Sequence, residues 1–147
     1  AGGSLHVTPA GTVWLTWTDP SARGHALRFA TRSPGADAWT PAATIAEGAG
    51  WFINWADFPA ITAADDGNAT AVRFVNNPPT PNGAGDHGHG PGYHARISRT
   101  TDAGRTWSAP EPLTREGNSV EFVSLATLAD GRNFRNAQDA PNNNVPR

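Results

Sequence analysis

The chain has 147 residues, with 13 acidic side chains against 11 basic ones, a formal charge of −2 and no cysteine. That balance supplies no basic patch of the size nucleic acid or an anionic membrane attracts, and disulfides are excluded. No apolar run approaches the roughly 18 residues a membrane-spanning helix needs, and 16 Gly with 13 Pro in the absence of a helical period predict one turn-rich β domain without a cofactor. The sequence contains no Met and opens on Ala1 without the basic and apolar regions of a signal peptide, so the expectation is a piece of a longer polypeptide.

In chain order, Leu5–Trp17 reads as a strand, a turn around Gly11 and a second strand, because apolar and polar residues alternate on either side of Pro9-Ala10-Gly11. Ala26–Arg32 alternates again and leads through Ser33-Pro-Gly-Ala-Asp-Ala to Trp39-Thr-Pro. The same grammar recurs at Ala60–Phe74 around Gly67 and begins a third time at Phe122–Phe134 around Gly131; these glycines are 56 and 64 residues apart. The second half recurs too, since Arg28 to Arg96 and Trp39 to Trp107 are both 68 residues apart. Each unit therefore holds four strands. The units span 5–46 and 58–113, with the start of a third at 122–134. Asn133–Arg147, rich in Asn, Pro and Ala, lacks strand alternation; 135–147 is read as an irregular or disordered tail outside the domain at 1–131.

The most distinctive stretch is Thr100-Thr-Asp-Ala-Gly-Arg-Thr-Trp107. Asp102 can accept hydrogen bonds from backbone amides two residues on, Gly104 supplies the positive φ of a tight reversal, and Trp107 can fold back over the hairpin. Thr100-x-Asp102-x-Gly104-x-Thr106-Trp107 resembles the Asp-box, the bacterial neuraminidase repeat that punctuates sialidase-type β-propellers. Ser33–Trp39 stands in the place of a first box but lacks its Asp. Trp51-Phe-Ile-Asn-Trp-Ala-Asp-Phe-Pro59 is similar to a segment of bacterial secreted sialidase-like proteins, and the likeness extends over roughly residues 5–131.

That resemblance implies an all-β, partial β-propeller of about two four-stranded antiparallel blades plus the start of a third, cut from a parent of six. It also implies a secreted, periplasmic or cell-envelope location and, as partners, a glycan substrate and the parent's remaining blades. Antiparallel strands sort the loops to two ends. The short turns around Gly11, Gly67, Ser33–Ala38 and Thr100–Thr106 share one, while Thr18–Gly24, Glu47–Asp57, Asn76–Gly92 and Thr114–Glu121 share the other. The second set is long, irregular and rich in aromatic, acidic and His residues, so the site is expected there.

Within it, Trp51, Asn54 and Trp55 suit a sugar, whose C–H faces pack on rings while its hydroxyls take polar partners. The alternative is that the aromatics pack between blades. Asp57 is the candidate general acid/base and Glu121, at the equivalent place in the third unit, a second carboxylate. Sialidases clamp the sugar carboxylate with arginines, a role open to Arg73 and less readily to Arg28. His94 completes the substrate-binding candidates.

Asp86-His-Gly-His-Gly90 offers metal-ligand atoms, with His94 the only further His at hand. A Gly-rich loop must be ordered before it can ligate, so a lid over the site is the preferred reading and no metal is expected. The family's Phe-Arg-Ile-Pro signature and its late nucleophilic tyrosine have no counterpart, and Tyr93 is not given that role. The functional expectation is a fragment of an exo-sialidase-like glycoside hydrolase, inactive in isolation. The alternative is a non-catalytic carbohydrate- or protein-binding module.

Overall fold

A computed structural model describes residues 2–54, 56–79, 92–114, 120–128 and 133–139, with the backbone alone for 120–122 and 133–139. Among these the chain is all-β and antiparallel. The first sheet holds β1 (Gly3–Val7), β2 (Val13–Ser21), β3 (Gly24–Arg32) and β4 (Ala43–Gly48) in that spatial order. The second repeats the order with β5 (Ala60–Ala63), β6 (Ala69–Asn76), β7 (Tyr93–Thr100) and β8 (Glu111–Pro112), and β9 (Val120–Thr127) pairs with β10 (Asn133–Asp139) in a third.

The repeat seen in the sequence is a repeat of hydrogen bonds. Thr8 N–H donates to Thr12 O and Gly11 N–H to Thr8 O; 56 residues on, Ala64 N–H donates to Asn68 O and Gly67 N–H to Ala64 O. Likewise Thr31 N–H donates to Thr40 Oγ1 and Thr40 N–H to Thr31 O, while Arg99 and Ser108, 68 residues later, make the same pair of bonds.

Two expectations are corrected. The segment 18–24 is no long loop, because β2 runs through Pro20 to Ser21 and pairs Ser21 with Gly24 across a two-residue turn. An edge-compatible Pro near the end of a strand does not stop it where the ladder bond is not needed. And Asn133–Asp139, read as part of an irregular segment, forms β10, with Asn133 opposite Thr127 and a register shift at Ala137/Gln138. Backbone pairing to β9 supplies what the polar side chains do not advertise. Residues 140–147 lie outside the described residues.

The sheets stack face to face, and side-chain alternation decides which residues meet. The first sheet presents Trp14, Leu27, Phe29 and Ile45; the second answers with Ile61, Ala63, Ala69 and Ala71. Large side chains on one sheet thus meet small ones on the other, the complementarity that dense packing requires. From the opposite face of β6 and β7, Val72, Phe74, Ala95 and Ile97 pack with Val123 and Leu125 of β9. β6 is thus buried on both faces, which is why its sequence, Ala-Thr-Ala-Val-Arg-Phe, lacks a polar stripe.

The turn at Thr100–Thr106 also joins sheets. Trp107 meets Phe29 edge-on, with ring centroids 5.4 Å apart, and Phe29 in turn stacks on Trp14 at 5.5 Å. Trp107 therefore packs on the neighbouring sheet. Gly104 lies so close to Phe29 that an added Cβ would stand 2.3 Å from its Cζ. The first strands knit together as well. His6 Nε2–H of β1 and the Thr127 hydroxyl of β9 both donate to Ala63 O of β5, and the Thr62 and Thr127 hydroxyls share a 2.6 Å hydrogen bond.

Candidate functional site

The link from β4 to β5 crosses the ends of the strands opposite these turns, and backbone bonds fix it there. Asn76 N–H donates to Gly50 O at 2.8 Å, Phe52 N–H to Phe74 O at 3.1 Å, and Trp51 makes a β-bridge with Val75. Beyond the bridge, Asn54 folds the chain over its own side chain. Its Oδ1 accepts from the amides of Ala56 and Asp57 at 2.7 and 2.5 Å, and its Nδ2–H donates to Asp57 Oδ2 at 2.7 Å. An Asx turn of this kind is the local reason for Asn at 54. It also fixes the direction of the Asp57 carboxylate.

Between this link and the strand ends lies a cleft of ≈ 300 Å³, counting the space that opens to solvent. Asn54, Asp57 and Pro59 wall one side, Thr18 of β2 and Arg73 and Phe74 of β6 line it from the sheets, and Gly2 closes part of the rim. The central feature is Arg73. It is only 6% exposed, its guanidinium lies over the Trp51 ring at 4.9 Å, and Nε and Nη1 have no hydrogen-bond partner among the described residues. Burial, and secondarily the Arg96 guanidinium opposite it in the β6–β7 ladder, bring its pKa down to about 10. At neutral pH it stays charged. A buried cation with no anion beside it among the described residues costs several kcal/mol by general estimates.

The sequence candidates separate on this geometry. Trp51, Asn54, Asp57 and Arg73 converge on the cleft. Trp51 does so differently from the expectation, because Arg73 covers one part of its ring and His25 stacks at 6.2 Å; it holds the arginine and offers no free face to a sugar. His94 does not line the cleft: it is buried, and its Nδ1 bonds Asn77 Oδ1 at 2.8 Å. Arg28 pairs with Asp19 at 3.4 Å and donates to Thr44 Oγ1, on the opposite face of the first sheet. Tyr93 stacks face-on on Phe52, ring centroids 3.8 Å apart.

Trp55, Asp86, His87 and His89 lie outside the described residues, as does the side chain of Glu121, whose backbone sits in β9 opposite Gln138. Among the described residues no three His, Asp or Glu side chains gather as metal ligands, and no helix is long and apolar enough to cross a membrane.

Sequence reasoning passed over Thr18, Phe74 and Gly2. The 56-residue repeat carried a usable signal for two of them, since it sets Thr18 equivalent to Phe74 beside Arg73.

At the opposite end Asp102 organises the turn. It accepts from Thr106 N–H at 2.9 Å, the Thr106 hydroxyl at 2.6 Å and the Thr100 hydroxyl at 2.7 Å, which holds its pKa down to about 2. Gly104 N–H donates to Thr100 Oγ1. Both carboxylate oxygens of Asp102 accept hydrogen bonds from within the turn, which marks a structural role for Thr100, Asp102, Gly104 and Thr106. No family model matches the chain, and no curated protein matches it either.

Proposed function

We propose that the chain is part of a sialidase-type β-propeller of the cell exterior, and that its cleft binds a glycan through the carboxylate of an acidic, sialic-acid-like sugar. The observation that carries this reading is Arg73, a buried guanidinium that lines the cleft together with Asp57 and has two donor atoms without a partner among the described residues. Guanidinium and carboxylate match as planar, charge-assisted partners. Asp57 and Asn54 line the same cleft and, on this reading, take sugar hydroxyls with the polar atoms left over from their mutual bond. The propeller reading is supported by two four-stranded units stacked in one sense, and by β1, β5 and β9 meeting at the Ala63 carbonyl as innermost strands would.

Binding without turnover is the form of this function favoured for the chain as it stands. Glycoside hydrolysis ordinarily takes two acid/base or nucleophilic groups across the bond, and Asp57 is the one acidic residue among the described lining of the cleft, its Oδ2 engaged by Asn54. Calorimetric titration with N-acetylneuraminic acid and with its methyl ester tests the reading. The acid is expected to bind and the neutral ester to bind far more weakly. Arg73→Gln should weaken the acid by roughly 10- to 100-fold, the worth of one or two charge-assisted bonds, and leave the ester unchanged. Equal binding of acid and ester would defeat it.

A further inference from the structure

Asp57, Phe58 and Pro59 lead from the Asx turn at Asn54 into β5, and the first and last of them line the cleft, whereas Phe58 packs elsewhere. Its side chain is 45% exposed, and its ring lies against the backbone of Gly2. The approach is so close that a Cβ added to Gly2 would collide with Cδ1 and Cε1 of the ring. The seat exists because residue 2 has no side chain.

The repeat explains why these two residues meet. Gly2 and Phe58 are 56 residues apart, as Gly11 and Gly67 are, so they hold the same place in the first and second units. β1 and β5 are neighbours, joined by the bond from His6 Nε2–H to Ala63 O, and the equivalent positions at their entries come side by side. Two side chains there would compete for one space. The chain sets a ring at one entry and none at the other.

The contact has a mechanical consequence for the cleft. The bonds that Asn54 makes to Ala56 and Asp57 lie within the link, so they shape it without tying it to a sheet. The ring on Gly2 does tie it, because Gly2 leads directly into β1, whose Gly3 pairs with Trp17 of β2. Gly2 also lines the cleft, and Thr18, which the first sheet contributes to the same cleft, follows Trp17. The contact thus joins the Asp57 side of the cleft to the first sheet at the rim.

We propose that Phe58 is a positioning residue of the cleft: docked on Gly2, it clamps the Asp57 wall to the first sheet and sets the width open to a ligand. It acts through Asp57 and Pro59. As to the ligand, the inference rests on the acidic-sugar reading; the clamp itself does not. A wall held in place beforehand spares the ligand the cost of ordering the link when it binds.

Nuclear Overhauser contacts between the Phe58 ring and the Gly2 α-protons are expected in the full chain. Phe58→Ala removes the ring, and Gly2→Ala fills its seat. Phe58 is exposed enough to swing outward, so the second variant need not unfold the protein. Both should quicken hydrogen exchange over 53–58 several-fold and leave 100–106 unchanged. Both should also weaken N-acetylneuraminic acid by roughly 3- to 10-fold in calorimetric titration, from the ordering that the loosened link then undergoes on binding. Phe58→Tyr keeps the ring and should restore exchange and affinity together. Absence of the Gly2 contacts would overturn the clamp. So would exchange over 53–58 that is the same in every variant, or an affinity that stays constant while exchange quickens. A cleft that binds no acid in the unsubstituted protein sinks the acidic-sugar reading, and exchange over 53–58 then decides the clamp alone.

Discussion

Asp102 holds its turn with both carboxylate oxygens, and the consequence is a dependence on pH. Its pKa in the fold, about 2, lies below the ordinary 3.8. The ionised form therefore stabilises the fold fully above about pH 4, and that contribution is lost as the pH falls towards 2. Asp102→Ala should lower the melting temperature at neutral pH and flatten its decline between pH 4 and 2, measured by thermal scans at stepped pH.

Gly104 is a second residue with a sharp expectation. It has φ +85° and a neighbour, Phe29, in the way of any side chain, whereas Gly35 in the corresponding turn has φ +73° and nothing within 4 Å. Gly104→Ala should cost about 2–4 kcal/mol in urea unfolding, from overpacking added to the left-handed backbone. Gly35→Ala should cost only the backbone share, about 1 kcal/mol. Equal losses would show that the Phe29 contact carries no weight. The positive φ at Gly104 was legible from the sequence of the turn. Its contact with another sheet was not, because a turn motif specifies its own bonds and says nothing of what lies against it. The same limit applies to Arg73: its place in a strand does not say what lies against that face, and only the fold sets Trp51 beneath it.

Among elements, the strands of the first two sheets were readable because apolar spacing and the turn residues at Gly11 and Gly67 agreed. β10 was not, since Asn133, Arg135, Asn136 and Gln138 carry no apolar alternation and the strand exists by pairing with β9. The long loop expected at 18–24 failed for the opposite reason: β2 continues through Pro20 to Ser21, where the ladder tolerates a proline. The joint between β5 and β9 also depends on residues that sequence patterning ignores. Thr62 and Thr127 are buried or half-buried polar side chains that bond each other across sheets. Thr62→Val keeps the shape and removes one hydroxyl, which should cost about 1 kcal/mol. Hydrogen exchange should quicken across Val120–Thr127 and stay unchanged in β2 and β3. A uniform change across all sheets would mean that the third sheet does not open separately.

For the whole molecule, the antiparallel order of strands puts the ordered turns at one end and the cleft at the other, and that division was visible in the sequence as short repeated loops against long irregular ones. The site's membership was visible only in part. Trp51, Asn54 and Asp57 lie on one contiguous segment and were found together, whereas Thr18 and Phe74 reach the cleft from β2 and β6 and required the stacking of sheets. His94, also expected to bind substrate, is instead buried and bonded to Asn77. On the proposed function the link end, centred on Arg73, is the binding end of the molecule. Hydrogen–deuterium exchange with and without saturating N-acetylneuraminic acid tests this most directly. The account predicts slowed exchange at 50–57 and 73–76 with no change at 100–106; slowing confined to 100–106, or no slowing anywhere, would contradict it.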